Sequence, residues 1–309
     1  MNKDSRILIV GHNDIIENSL RTFFKSDGYT SIFSSSEIGL NPAIQSSVYE
    51  FFQKNRPEYV FLASTRSGGI EANEKNGAEF MYHNSESQNN ILYSSWKFGA
   101  KKLLYFAGSC VYPKECPQPM NEENLLTGVL EKTSEPYSVA KIAGIKLCQA
   151  FRKQYGFNAI VMVLATVYGP GNDVNIETAH VIGALIGKFS NAVMNGQEKV
   201  SVWGTGNPLR EFLYVDDFVR ASARFMDHYN DEKIVNAGFG SDVTIKELTE
   251  MIVKTVGFKG DIIFDETKPD GTMKKLLDSR YAKSLGWSAQ VPLDEGIKRT
   301  YEWYKDKIR

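Results

Sequence analysis

The sequence predicts an α/β protein built on a doubly wound parallel sheet, and three observations carry that expectation. Short continuous apolar runs recur at Ile7–Val10, Tyr59–Ala63 and Leu103–Phe106, as in strands buried on both faces. Stretches with helical periodicity separate them, because parallel strands need crossover connections. Small or turn-forming residues follow the runs, at Gly11, from Ser64 to Ile70 and from Ala107 to Tyr112. Those are carboxyl ends of strands, where a sheet of this kind binds its ligand.

Taken in order, Arg6–Val10 reads as the first strand and Ile15–Phe24 as the helix after it. Tyr29–Phe33 is expected to be the second strand and Ala43–Phe52 the second helix. Tyr59–Ala63, after Pro57, gives the third strand, and a long helix is expected from about residue 79 to residue 98. Lys102–Phe106 is the fourth strand, and Ala159–Leu164 the fifth. Between these two, Pro136 suits the first turn of a helix, where its missing N–H costs nothing. That helix is expected to run through Phe151.

The first strand–helix turn reads Gly11-His12-Asn13-Asp14-Ile15-Ile16-Glu17. A dinucleotide pyrophosphate rests in such a turn when glycines let the backbone approach it and helix N–H groups face it. Only the first glycine is present, and Asp14 and Glu17 stand in the places of the second and third. At ~4 Å and an effective dielectric near 20, each carboxylate–phosphate contact would cost about 4 kcal/mol. The other reading is a plain capped helix start with Asp14 as N-cap. Further on, Ser34-Ser35-Ser36 and then Glu37 occupy the stretch where a ribose would be read. Hydroxyls there suit a 2′-phosphate, and serines are also ordinary loop formers.

Tyr137 and Lys141 are four residues apart, so a helix stacks them on one face. An ammonium beside a phenol stabilises the phenolate and lowers the phenol's pKa, which makes a proton donor for a carbonyl receiving hydride. The same spacing also occurs on ordinary amphipathic helices. Cys110 lies in the small-residue segment Ala107-Gly108-Ser109-Cys110, where its thiolate can serve as a base or its thiol can simply be buried. His180 opens another helical stretch, a place where histidines are often structural. Arg210 has the fork that clamps a phosphate, or it pairs with Glu211 or Asp216.

Composition narrows the classes. The 309 residues, 42% hydrophobic and 24% charged, suffice for a large core. A net charge of −1 gives no bulk electrostatic case for nucleic acid or an anionic membrane. No apolar run reaches the length of a membrane span, and Met1–Ser5 lacks a signal-peptide core. Cys110, Cys116 and Cys148 are odd in number and lack metal-ligand spacing, so no metal is expected and a reducing cytoplasm is.

Longer blocks run almost from end to end: Gly68-Gly69-Ile70, Ser109 to Lys114, Gln118-Pro119-Met120, Glu135-Pro136-Tyr137 through Lys146, and Tyr168-Gly169-Pro170. They continue with His180-Val181-Ile182, Trp203-Gly204, Arg210 to Leu213, Lys268 to Thr272 and Leu285-Gly286-Trp287. Together they resemble the extended short-chain dehydrogenase/reductase family, and within it the epimerase–reductases of GDP-4-keto-6-deoxy-hexoses. The resemblance implies a Rossmann-type sheet in residues 1–170 and about 209–240. A smaller C-terminal α/β part, residues 171–208 and 241–309, would bind the nucleotide sugar.

It also implies roles. Cys110 and His180 would invert C3 and C5 by moving protons beside the C4 ketone. Hydride from NADPH would then reduce C4, with Tyr137 as proton donor and Lys141 tuning it. NADP(H) would be held at Gly11, Asn13, Asp14, Ile15, Ser64, Arg66, Tyr137 and Lys141. The GDP-sugar would contact Ser109, Lys188, Trp203, Arg210 and Lys275. A homodimer paired through the Glu135–Phe151 helix is expected.

The chain departs from the family in one half only. Gly108 replaces a serine that would hydrogen-bond the reacting carbonyl, a loss worth ~10²–10³ in rate. Ser109 is adjacent, but in an extended segment neighbours face opposite sides, so no replacement is expected from it. Asp14 and Glu17 replace glycines, Asn13 an arginine at the 2′-phosphate, and Ile44 an aspartate at the adenine. Weakened NADP(H) affinity is therefore expected. Two alternatives follow: an epimerase without its reductase step, or a non-catalytic relative that binds nucleotide sugar or partners an active subunit.

Overall fold

The computed structural model describes residues 1–12, 15–63, 66–175, 179–268 and 270–308. Asn13, Asp14 and Ser64, three of the expected cofactor contacts, lie outside the described residues. Along the chain come β1 (Ile7–Val10), α1 (Ile15–Ser26), β2 (Ile32–Ser34), α2 (Gln45–Asn55), β3 (Tyr59–Leu62), α3 (Ile70–Lys75), α4 (Gly77–Lys97) and β4 (Lys102–Gly108). Then follow α5 (Glu135–Tyr155), β5 (Ala159–Leu164), β6 (Thr166–Tyr168), α6 (Val181–Met194), β7 (Lys199–Trp203), β8 (Leu209–Arg210) and β9 (Phe212–Tyr214). The chain ends with α7 (Val215–His228), β10 (Val235–Ala237), β11 (Val243–Thr244), α8 (Ile245–Val256), β12 (Asp261–Asp265), β13 (Lys274–Lys275), α9 (Arg280–Ser284) and α10 (Leu293–Ile308).

The main sheet has six parallel strands in the order β10-β5-β4-β3-β1-β2. Every residue of β1 and β5 is buried, as their unbroken apolar runs require. Strand order reverses between β1 and β3, which opens a crevice at their carboxyl ends. The second strand is shorter than the sequence suggests. Gly28, at φ 84°, closes α1, and the Tyr29 N–H still donates to the Phe24 carbonyl at 3.0 Å. Tyr29 therefore belongs to the helix cap, and its ring meets that of Phe24 edge-on at 5.2 Å.

Smaller sheets complete the fold. β7 pairs with β12, and β8 lies between β11 and β13, with Lys275 opposite Arg210. That register sets two cations side by side next to the carboxyl end of the main sheet. No helix among the described residues is long and apolar enough to cross a membrane.

Candidate active site

Helix α5 carries the Tyr137–Lys141 pair, and both side chains are buried, at 9% and 1% exposure. Pro136 stands in its first turn, and Gly156 ends it at φ 66°. The Lys141 Nζ donates to the Phe106 carbonyl at 3.2 Å and lies 4.9 Å from the centre of the Tyr105 ring. Tyr105 donates to Gln88 Oε1 at 2.6 Å, and Gln88 Nε2 donates to the Ala140 carbonyl at 2.8 Å. A Cβ at position 144 would overlap the Tyr105 hydroxyl, so Gly144 is what lets α5 close onto β4. The expected lowering of the phenol is not found. Burial first, then the charge and hydrogen bonding of Cys110, push Tyr137 well above its ordinary value. The phenol is held neutral, ready to give a proton.

After β4 the chain turns into a 3₁₀ segment, Ser109–Val111. This corrects the extended reading of that segment: Ser109 lines the same cavity as Tyr137 and Cys110 rather than facing away from it. A Cβ built on Gly108 would lie 3.6 Å from the Tyr137 hydroxyl and 3.7 Å from Cys110 Sγ, both ordinary contacts. His180 is the N-cap of α6 and lines that cavity as well. Burial lowers its pKa, and Asp173 partly opposes the shift. Tyr137, Cys110 and His180, from three separate segments, thus share one cavity of about 740 Å³.

The cavity begins at the first strand–helix turn, where His12 and Ile15 line it. Glu17 is not where the sequence suggests. It is fully buried, and its Oε1 accepts from Ser34 Oγ at 2.7 Å, Ser35 Oγ at 3.1 Å and the Ser36 N–H at 3.0 Å. Its methylene packs against Gly11, where a Cβ would sit 2.5 Å from Glu17 Cβ. The reason is local: three donors at the end of β2 make an interior site that a carboxylate satisfies. Ser34 and Ser35 are correspondingly engaged with Glu17 and Gly11, not poised for a phosphate; the exposed Ser36 hydroxyl lies 3.3 Å from Ser34 Oγ, and Glu37 pairs with Arg21 and with Lys25 at 3.7 Å. Ile44 is half-exposed at the N-cap of α2 and gives no side-chain cap.

Cations gather at this end instead. Burial lowers the pKa of His12, Arg66 and Lys141 push it the same way, and Glu17 opposes them. Asn84 on α4 fixes the Arg66 backbone, accepting from its N–H at 2.7 Å and donating to its carbonyl at 2.9 Å. A glycine flush against the helix, a buried carboxylate turned inward and two cations beside a continuous cavity fit a dinucleotide.

At the far end Arg210 donates to the carbonyls of Leu209 at 2.8 Å and Thr272 at 2.6 Å. It does not pair with Glu211 or Asp216, the latter lying 3.7 Å from Arg299. Arg210 and Lys275 both line the cavity, and burial lowers both cations while neighbouring anions oppose the shift. Lys188 and Trp203 do not join them. Lys188 Nζ donates to the Ser201 carbonyl at 2.7 Å, and Trp203 is 52% exposed with Lys268 Nζ 5.2 Å from its ring centre.

Several lining residues were not singled out by sequence. Glu131 accepts from Thr272 Oγ1 at 3.1 Å and pairs with Lys114 at 3.1 Å. Glu211 also reaches the lining, although it is buried. Thr272 and Glu211 stand inside recognisable blocks, but nothing in their spacing marks a role.

A doubly wound sheet with a buried Tyr-x-x-x-Lys helix packed on its fourth strand, the tyrosine lining a ligand cavity, has the plan of an extended short-chain dehydrogenase/reductase. Comparison with known sequences agrees. The chain belongs to the NAD dependent epimerase/dehydratase family, whose profile matches residues 7–238. It is 43% identical over 306 residues to GDP-L-fucose synthase 1 of Arabidopsis thaliana, covering 99% of this chain and 95% of that one. Among solved structures it resembles a GDP-6-OMe-4-keto-L-xylo-heptose reductase from Campylobacter jejuni, with a TM-score of 0.94, 31% identity and 99% coverage of each chain. It also resembles MlghC, a GDP-mannoheptose C4 reductase from the same organism with NADP bound, with a TM-score of 0.89, 32% identity and 99% coverage of each.

Proposed function

We propose that this protein is an NADPH-dependent epimerase/reductase that converts a GDP-4-keto-6-deoxy-hexose in the manner of a GDP-L-fucose synthase. The observation that carries the reading is the convergence of Tyr137, Cys110 and His180 on one cavity. The full-length likeness to GDP-L-fucose synthase 1 and to two GDP-sugar reductases supports the substrate class.

Carbons flanking a ketone carry acidic protons. Cys110 and His180 exchange them, one group removing a proton and the other returning it to invert C3 and C5. With its pKa lowered by burial, the His180 imidazole is neutral at physiological pH and free to accept. Tyr137, neutral for the reason given above, donates its proton to the carbonyl oxygen during reduction of C4. Lys141, held by the Phe106 carbonyl, stabilises the charge left behind. Gly11, Ile15, Arg66, Tyr137 and Lys141 would hold NADPH, which when bound supplies the hydride. Ser109, Arg210 and Lys275 take the sugar and its diphosphate, and Lys188 and Trp203 take the outer nucleoside. In this reading residues 171–208 and 241–309 form the substrate part, and the enzyme is a cytoplasmic homodimer.

The reading predicts oxidation of NADPH on addition of GDP-4-keto-6-deoxy-mannose; no oxidation at any pH or concentration would reject it. A second reading, epimerase without reductase, is favoured by Gly108, which leaves the carbonyl one donor short. Deuterium entering C3 or C5 from heavy water, with NADPH never consumed, would select it.

A further inference from the structure

We propose that Glu211 is a positioning residue that assembles the anion clamp of the substrate end by holding two backbone segments together. Its Oε1 accepts from the Gly240 N–H at 2.7 Å and its Oε2 from the Leu277 N–H at 2.9 Å. Leu277 follows β13, the strand that sets Lys275 beside Arg210. Gly240 lies just before β11, which pairs with β8 on the other side and has Val243 opposite Arg210. One carboxylate thus ties down the flanks of both strands that border Arg210. Gly238 leaves the space for it, since a Cβ there would overlap the carboxyl group. Because both oxygens face N–H donors, only a group that accepts at both ends satisfies the site; an amide or a protonated acid turns one donor against another.

Burial raises the pKa of Glu211 to about 7, against the lowering effect of those N–H groups. The leading charged group acting on it is Asp242, just before β11, which raises it further and is itself paired with Lys274 at 3.4 Å. The carboxyl group is therefore poised to lose one of its two backbone bonds on mild acidification. The Lys275 strand would then loosen, and a diphosphate ligand would bind less well.

The inference rests on the nucleotide-sugar reading of the cavity. GDP-L-fucose serves as the probe, because its diphosphate has no group titrating near neutrality. In the intact protein its affinity is expected to fall as pH drops from about 8 to about 6. Glu211→Gln is expected to bind roughly tenfold more weakly at pH 8 with the pH dependence gone. Its KM should rise far more than its kcat falls, since Tyr137, Cys110 and His180 are untouched. Gly238→Ala, which displaces the same carboxyl group without changing its chemistry, should weaken binding too and covers the case of a Gln variant that fails to fold. Binding by the intact protein that is flat across this range, or wild-type affinity in either folded variant, would overturn the inference. No binding of the probe by the intact protein at any pH would instead reject the nucleotide-sugar reading.

Discussion

At the cofactor end of the cavity the acidic side chain of Glu17 turns away from the ligand space, whereas at the substrate end the cations Arg210 and Lys275 line it. Glu17 is buried beneath the first turn and satisfied by serines. Arg210, Lys275, Glu131 and Glu211 all reach the lining at the other end. The first end therefore presents mainly backbone and neutral side chains, with Arg66 and Lys141 behind the lining. The second offers Arg210 and Lys275, set side by side by strand pairing, with Glu131 also at the lining. A charge placed by a motif in sequence says little about where its field acts until its hydrogen-bond partners are known. For Glu17 the glycine-loop reading erred for that reason; Asp14, its other half, lies outside the described residues.

The sharpest test of this contrast removes the proton donor that stands between the two ends. Tyr137→Phe is expected to slow NADPH oxidation by ~10³, because a general acid typically contributes 10²–10⁴. Solvent deuterium should still enter C3 and C5, since Cys110 and His180 remain. Cys110→Ser should do the reverse, stopping exchange while leaving reduction of an already inverted keto-sugar measurable. If both variants lose both reactions equally, the two activities do not divide between these residues.

A second test addresses the cofactor end alone. Glu17→Ala strips the acceptor from two hydroxyls and one N–H in a buried site, a loss of roughly 2–4 kcal/mol of stability. Thermal or urea unfolding of the free protein reads this without any ligand. Glu17→Gln keeps one acceptor oxygen and should cost about half as much. If the carboxylate instead faced the phosphates, Glu17→Ala would tighten NADPH binding and leave the unfolding curve in place. That result would restore the repulsion inferred from the sequence.

Most of the fold was legible because burial on two faces writes itself as unbroken apolar runs. β5 matches its expected bounds, whereas β2 runs from Ile32 to Ser34 instead of Tyr29 to Phe33, with Tyr29 drawn into the cap of α1. The pair on α5 was legible because helical periodicity fixes which residues share a face. The direction of Tyr137's pKa was not. It depends on the depth of burial and on Cys110, which the segment after β4 brings within hydrogen-bond reach. Glu211 was invisible for a related reason. Its partners lie 29 and 66 residues away in sequence, at backbone atoms that carry no residue-type signal.

The remaining prediction concerns the one position where the two ends meet. Gly108 ends β4 at φ −95° and ψ 162°, a conformation open to any residue. A Cβ added there meets the Tyr137 hydroxyl at 3.6 Å and Cys110 Sγ at 3.7 Å, both ordinary contacts. Gly108→Ser would thus bring a second hydroxyl to the carbonyl oxygen that Tyr137 protonates. An added donor at developing charge is worth up to ~10² in rate, so kcat for C4 reduction should rise by about 10- to 100-fold. KM for the GDP-sugar should change little, because Arg210 and Lys275 bind it elsewhere. Stopped-flow absorbance of NADPH under single-turnover conditions separates this from product release. An unchanged rate of hydride transfer would mean that Ser109, already in the cavity, supplies the hydrogen bond that Gly108 lacks.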